Sequence, residues 1–112
     1  MSKQFCLALD LKDDAALIEA YESWHRKVWP EIIDSIRESG ITGMQIYRIH
    51  NRLFMIMHTT DDFSFERKAV ADASNLKVQE WESLMWQYQQ KLPFANPGEK
   101  WVIMEKIFDL EK

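Results

Sequence analysis

The chain has 112 residues, 46% of them hydrophobic, with 14 Lys and Arg against 18 Asp and Glu and a net charge of −4. That length holds a single domain, residues 1–112, and the composition excludes a disordered chain. The acidic balance, with Arg26-Lys27 as the longest basic cluster, argues against nucleic-acid binding, which needs clustered Lys and Arg. Residues 4–11 alternate, with Phe5, Leu7, Leu9 and Leu11 on one side and Cys6, Ala8 and Asp10 on the other, and predict a strand. Asp13-Asp14 supplies a cap and negative charge for a helix running from Ala15 to about Lys27. Pro30 removes a donor and biases Trp29 away from the α region, so the helix breaks there. Pro30 then opens a second helical segment with Ile32, Ile33, Ile36 and Ile41 on its apolar face and Gly40 as its C-terminal cap.

Residues 43–49 and 52–59 read as two strands around a tight turn at His50-Asn51. Residues 63–73 read as a helix begun by Asp61-Asp62. Residues 77–91 read as another, with Trp81, Leu84, Met85, Tyr88 and Leu92 facing inward. Pro93-Phe94-Ala95-Asn96-Pro97-Gly98 predicts an ordered or lid-like loop, and residues 100–110 a final strand. The order strand, helix, strand, strand, helix, strand is the split βαβ arrangement of α+β ferredoxin-like folds. Two strands are apolar on both faces: Leu53, Met55 and Met57 against Phe54 and Ile56, then Trp101, Ile103 and Ile107 against Val102, Met104 and Phe108. A sheet with helices on one side only would leave its other face wet and alternating. A second copy of the chain is the simplest cover, giving a homodimer with its sheets packed face to face as a dimeric α/β barrel. A pocket between sheet and helices then has room for a small ligand.

Cys6 is the only cysteine, so there is no intrachain disulfide; on a strand it reads as a small hydrophobe. The N-terminal apolar run is too short for a signal peptide, and no apolar run approaches the roughly 20 residues of a membrane span. The expectation is a cytoplasmic protein with no membrane partner. The histidines lack ligand spacing, so no metal is expected. Three glycines provide no phosphate-binding loop, and no Gly-x-Ser-x-Gly elbow is present.

The densest chemistry lies in Tyr21-Glu22-Ser23-Trp24-His25-Arg26-Lys27-Val28-Trp29-Pro30-Glu31. Tyr21 and His25 are four apart and share a helix face, which Trp29 extends. Such aromatic stripes are more often core packing than a site. Yet an imidazole that exchanges a proton near neutral pH, beside a phenol and an indole, also suits a sugar or ring site. His50 reads as a solvated turn residue and His58 as a packing residue at a strand end. Glu31 is a possible carboxylate partner for His25. Trp81 and Trp86 are five apart, so one can line a pocket while the other packs elsewhere.

Tyr21-x-x-x-His25-x-x-x-Trp29-Pro30-Glu31, followed by Ile46-Tyr47, Asn51-Arg52-Leu53-Phe54, Trp81 and Ala95-Asn96-Pro97, resembles the L-rhamnose mutarotase family over nearly the whole chain. The resemblance implies a dimeric α/β barrel of ferredoxin-like protomers that interconverts the anomers of a 6-deoxy-hexose with no cofactor. It places the family's proton-donor histidine on His25 and its first-helix tyrosine on Tyr21. Trp29, Met44, Tyr47, Trp81 and Trp86 complete the implied monosaccharide-binding set. Two positions depart from the family: its strand-2 tyrosine falls on Met44, and the second residue of its tryptophan pair on Glu82. A longer segment before Pro93 and the run Gly98-Glu99-Lys100-Trp101 resemble a subgroup associated with L-fucose. The first-helix residues favour L-rhamnose slightly over L-fucose. Two other classes compete: an oxygenase or haem-handling protein on the same dimeric barrel, and a non-catalytic ligand-binding dimer.

Overall fold

The computed structural model describes residues 2–111. In chain order the elements are β1 (Ser2–Leu11), α1 (Ala15–His25), α2 (Pro30–Glu38), β2 (Ile41–Ile49), β3 (Arg52–Thr60), α3 (Phe65–Ala73), α4 (Leu76–Trp86), β4 (Gln89–Gln90) and β5 (Val102–Ile103). The sheet is antiparallel in the order β2-β3-β1-β4, with β5 also on β1. This is the α+β ferredoxin-like arrangement, with the fourth strand position divided between two short segments.

Register follows from alternation. Leu7 lies opposite Met55 and Leu9 opposite Leu53. On β2, Met44 faces Met57 and Ile46 faces Met55. These residues form the inner face, buried against Tyr21 of α1, Ile32 of α2, and Val78, Trp81 and Met85 of α4. The outer face carries Cys6, Ala8, Phe54, Ile56 and Val102, all only partly buried. Asp10 is the buried carboxylate of that face, held by two hydrogen bonds from Arg52 at 2.7 and 3.1 Å.

Helix starts are set by caps. Asp14 Oδ1 accepts from Leu17 N at 3.1 Å and Ser64 Oγ accepts from Arg67 N at 3.2 Å. Asn75 Oδ1 accepts from Lys77 N and Val78 N at 3.0 and 3.2 Å. Each such cap stabilises its helix by roughly 1 kcal/mol. Pro30 occupies the first turn of α2, after Trp29 at ψ 137°, which is the extended backbone that a following proline favours. The hairpin turn at His50-Asn51 holds His50 at φ +51°. Asn51 ties the turn to β1 by Nδ2 donating to Leu11 O at 3.0 Å.

Several boundaries differ from the sequence expectation. Ser64, rather than Asp61-Asp62, caps α3. Ile41 belongs to β2, which begins earlier than residue 43 and is bulged between Ile41 and Gly43. The helix expected over residues 77–91 ends at Trp86, and Lys12 N then donates to Tyr88 O at 2.9 Å. That pairing draws the following residues onto the end of β1, so tertiary pairing overrides helical periodicity. The strand expected over residues 100–110 shrinks to Val102–Ile103 plus one bond from Met104 N to Cys6 O. In the register of Ile103 with Leu7, the pairing of β4 with Asp10 and Leu11 keeps residues 99 and 100 off the edge of β1, and after Met104 the chain turns away from that edge. Ile107, Phe108 and Leu110 lie exposed in an irregular tail.

Gly40 follows the C-cap of α2 at φ +101°, and its carbonyl accepts from Thr60 N at 2.9 Å. A Cβ there would sit 3.0 Å from Thr60 Oγ1. Gly40→Ala combines left-handed strain with that close approach and should destabilise the fold by about 1–2 kcal/mol. Urea unfolding checks this: a lower midpoint at unchanged slope is expected, and a wild-type midpoint contradicts it.

Candidate active site

Between the inner sheet face and the helices lies an open cavity of about 760 Å³. This is within the roughly 300–1,000 Å³ range of small-molecule sites. Its floor is apolar, formed by Leu7, Met44, Ile46 and Met55. Its walls bring together Tyr21 and His25 from α1, Trp81, Glu82 and Met85 from α4, and Gln89 from β4. Methionine and indole surfaces give shape and dispersion contacts, while the few polar groups give direction.

The four-residue spacing on α1 stacks His25 against Tyr21, with ring centroids 4.4 Å apart. His25 Nδ1 lies 2.9 Å from the backbone oxygen of Tyr21. A carbonyl only accepts, so Nδ1 carries the hydrogen and Nε2 keeps the lone pair. No partner occupies Nε2 among the described residues. Burial lowers the His25 pKa below its usual 6.5, with the bond to Tyr21 O partly opposing the shift. The imidazole is therefore neutral at pH 7 and basic at Nε2. Tyr21 behaves in the opposite sense. Burial pushes its phenol up to about 12, the Gln89 amide lowers it and Glu82 raises it again. Tyr21 thus keeps its O–H as a donor throughout the physiological range.

Trp81 is 6% exposed and is the hub of the aromatic wall. It makes edge contacts with His25 at 5.8 Å, Trp24 at 6.3 Å and Trp29 at 5.0 Å between centroids. Trp24 Nε1 donates to Tyr88 Oη at 3.2 Å, fixing α1 to the segment after α4. Glu82 Oε1 accepts from Lys100 Nζ at 2.6 Å, so a loop residue is held over α4. Lys100 also lies 5.0 Å from the centre of the Trp86 ring.

Of the residues singled out in the sequence, Tyr21, His25, Met44 and Trp81 line this cavity together. Trp29 is absent from the lining and instead buttresses Trp81 from behind, with Lys77 5.4 Å from its own ring centre. Tyr47 and Trp86 are not brought to the cavity. Tyr47 pairs with Phe54, which puts it on the outer face, 58% exposed. Trp86 is 42% exposed, since five residues of helix turn it away from the stripe of Trp81. Glu31 is exposed in the first turn of α2 and also lies outside the lining. The inward place of Gln89, the contact of Lys100 with Glu82, and Trp101 as a further lining residue of the cavity go beyond the sequence expectation. The helical period assumed through residue 91 concealed the inward face of Gln89, and no local signal in the sequence marks the loop contact of Lys100. Among the described residues, no group of three or more His, Cys, Asp and Glu side chains is arranged to hold a metal ion.

The sequence profile described as L-rhamnose mutarotase matches residues 4–110. An L-fucose mutarotase of Xanthomonas campestris pv. campestris is 45% identical over 112 residues, covering 98% of this chain and 90% of that protein. An L-rhamnose mutarotase of Paraburkholderia phymatum is 25% identical over 95 residues, covering 83% of this chain and 82% of that one. The crystal structure of an L-rhamnose mutarotase from Formosa agariphila superposes with a TM-score of 0.71 at 20% identity, covering 96% of this chain and 98% of that one. That structure supports the fold. The profile and the sequence relatives carry the family assignment: the chain belongs to the L-rhamnose mutarotase family.

Proposed function

We propose that the protein is a mutarotase that interconverts the α and β anomers of a 6-deoxy-L-hexose without a cofactor, acting on free sugar in the cytoplasm. The observation that carries this is a neutral, Nε2-basic His25 beside the un-ionised Tyr21 phenol in an aromatic-walled cavity. Anomer exchange needs the anomeric hydroxyl to lose a proton while the ring oxygen gains one. The C1–ring-oxygen bond then breaks to a free aldehyde, which rotates and recloses on its other face. Both oxygens are bonded to the same carbon, so a single imidazole nitrogen reaches each in turn. His25 Nε2 takes the anomeric proton and returns it to the ring oxygen. The low proton affinity that burial imposes makes the imidazolium a ready donor. Tyr21 Oη donates to whichever oxygen carries the developing charge. Trp81 offers a flat surface to the C–H face of the sugar, and Met44 an apolar contact for its methyl group.

Of the two sugars, L-fucose is the better supported. The relative named for it is 45% identical and covers nearly the whole chain, against 25% for the relative named for L-rhamnose. Met44 and Glu82, where the pattern of the rhamnose enzymes breaks, both line the cavity. A site built around particular hydroxyls discriminates strongly between sugars that place them differently.

We further propose that two copies pack through the outer sheet face. Phe54 and Ile56 there are only half-buried in one chain, and the tail adds Ile107 at 92% and Phe108 at 74% exposure. Apolar surface exposed in this amount is what an association site offers. Light scattering at micromolar concentration should give twice the chain mass, and Ile56→Glu should halve it. A wild-type monomer contradicts the dimer.

His25→Asn should slow exchange by about 10²–10⁴-fold with unchanged circular dichroism. In the wild type, the acidic limb of the rate profile should inflect below pH 6.5, because burial keeps the base neutral to lower pH. Wild-type rates in the Asn variant, or an inflection above 6.5, contradict the role of His25. Anomeric exchange measured by NMR should be accelerated more for L-fucose than for L-rhamnose. Acceleration of neither sugar removes the mutarotase reading altogether.

A further inference from the structure

Gln89 presents chemistry that the proton transfers above leave unused. It is 6% exposed, and its pairing with Leu11 turns it to the inner face, where it lines the same cavity as His25 and Tyr21. Its Nε2 donates to Tyr21 Oη at 3.5 Å. Its Oε1 is buried and finds no donor in the protein, the only side-chain oxygen or nitrogen so placed among the described residues. A buried acceptor without a donor costs stability, and a hydrophobic residue would fill a two-residue strand at this point without that cost. A buried polar group left unpaired by the fold calls for a partner from outside the chain, and one that lines a cavity has room for it. The amide is planar, so committing its nitrogen to Tyr21 settles which end is left to accept.

We infer that Gln89 is a substrate-binding residue that selects the sugar by one hydroxyl: Oε1 accepts a hydrogen bond from a single ring hydroxyl of the monosaccharide, other than the anomeric one. The ligand hydroxyl supplies the donor that the fold withholds. A site built to pair a hydroxyl discriminates against the analogue that lacks it far more than an apolar wall does. This inference rests on the mutarotase reading and extends it to a residue that fixes which sugar is accepted.

The test uses the full chain, with L-fucose, L-rhamnose and the 2-, 3- and 4-deoxy analogues of L-fucose. Binding is followed by tryptophan fluorescence and turnover by NMR exchange. Gln89→Met keeps length and volume while removing the acceptor; Gln89→Leu serves if the Met variant does not fold. The wild type should bind one deoxy analogue about 10-fold more weakly than the other two, the size of one net hydrogen bond. Gln89→Met should bind L-fucose about 10-fold more weakly, bind that one analogue as well as L-fucose itself, and melt no lower than the wild type. Equal weakening of all three analogues by Gln89→Met would overturn the inference, since it marks a role in holding Tyr21 alone. So would a variant that exchanges sugar with the wild-type pattern of discrimination, or loss of folding in both variants. If the wild type neither binds nor exchanges either sugar, the mutarotase reading fails and this inference fails with it.

Discussion

The pairing of β1 with β3 sets what every other element can do. Leu7 opposite Met55 and Leu9 opposite Leu53 place one apolar row beneath the helices. A slip of β1 by one residue would turn Cys6, Ala8 and Asp10 inward against the unchanged row of Leu53, Met55 and Met57, and would part Asp10 from Arg52. The two faces have different side chains of different size, so the register is strongly specified. With it fixed, β2 is bound to present Met44 and Ile46 inward and Tyr47 outward. The cavity floor is thus a direct consequence of a two-residue period in β1, β2 and β3.

The wall opposite depends on packing rather than pairing. Trp81 is gripped by Trp24, Trp29 and the edge of His25, so its indole plane is fixed from several sides. Aromatic pairs in such edge contacts add roughly 0.5–1.5 kcal/mol each beyond the area they bury. The same contacts bring α1 and α4 together, which is why a structural cluster and a chemical site share residues here. The amphipathic-helix and active-site readings of the Tyr21–Trp29 stripe are both satisfied: Trp24 and Trp29 pack, while Tyr21 and His25 pack and also border the cavity.

Much of this was legible in the residues. Alternation identified the strands β1, β2 and β3, and Asp14, Pro30 and Gly40 marked helix ends by their own chemistry. The i, i+4 spacing put His25 beside Tyr21. What could not be read locally was the segment after Trp86. Its helical pattern continues in the sequence, yet Gln89 and Gln90 pair with a strand some eighty residues earlier. The late start of the final strand has a related origin, since β4 already holds the part of β1 that residues 99 and 100 would pair with, a property of the assembled sheet. Tyr47 shows a third limit. Its place in a family motif says nothing about side, whereas its cross-strand partner Phe54 puts it on the outer face.

The hydrogen on His25 is kept in place by the main chain. It is held at Nδ1 by a main-chain oxygen four residues earlier, not by a carboxylate or hydroxyl. Many buried histidines owe their tautomer to a neighbouring side chain, and a single codon change can undo that arrangement. Here the acceptor is present whatever residue occupies position 21, as long as the helix persists. The basic nitrogen is therefore insulated from sequence drift in the cavity wall. A change at Met44 would alter the shape of the cavity without touching the atom that sets the orientation of the proton-handling nitrogen. The tautomer of His25 thus rests on the backbone of α1, while the shape of the cavity rests on the side chains around it.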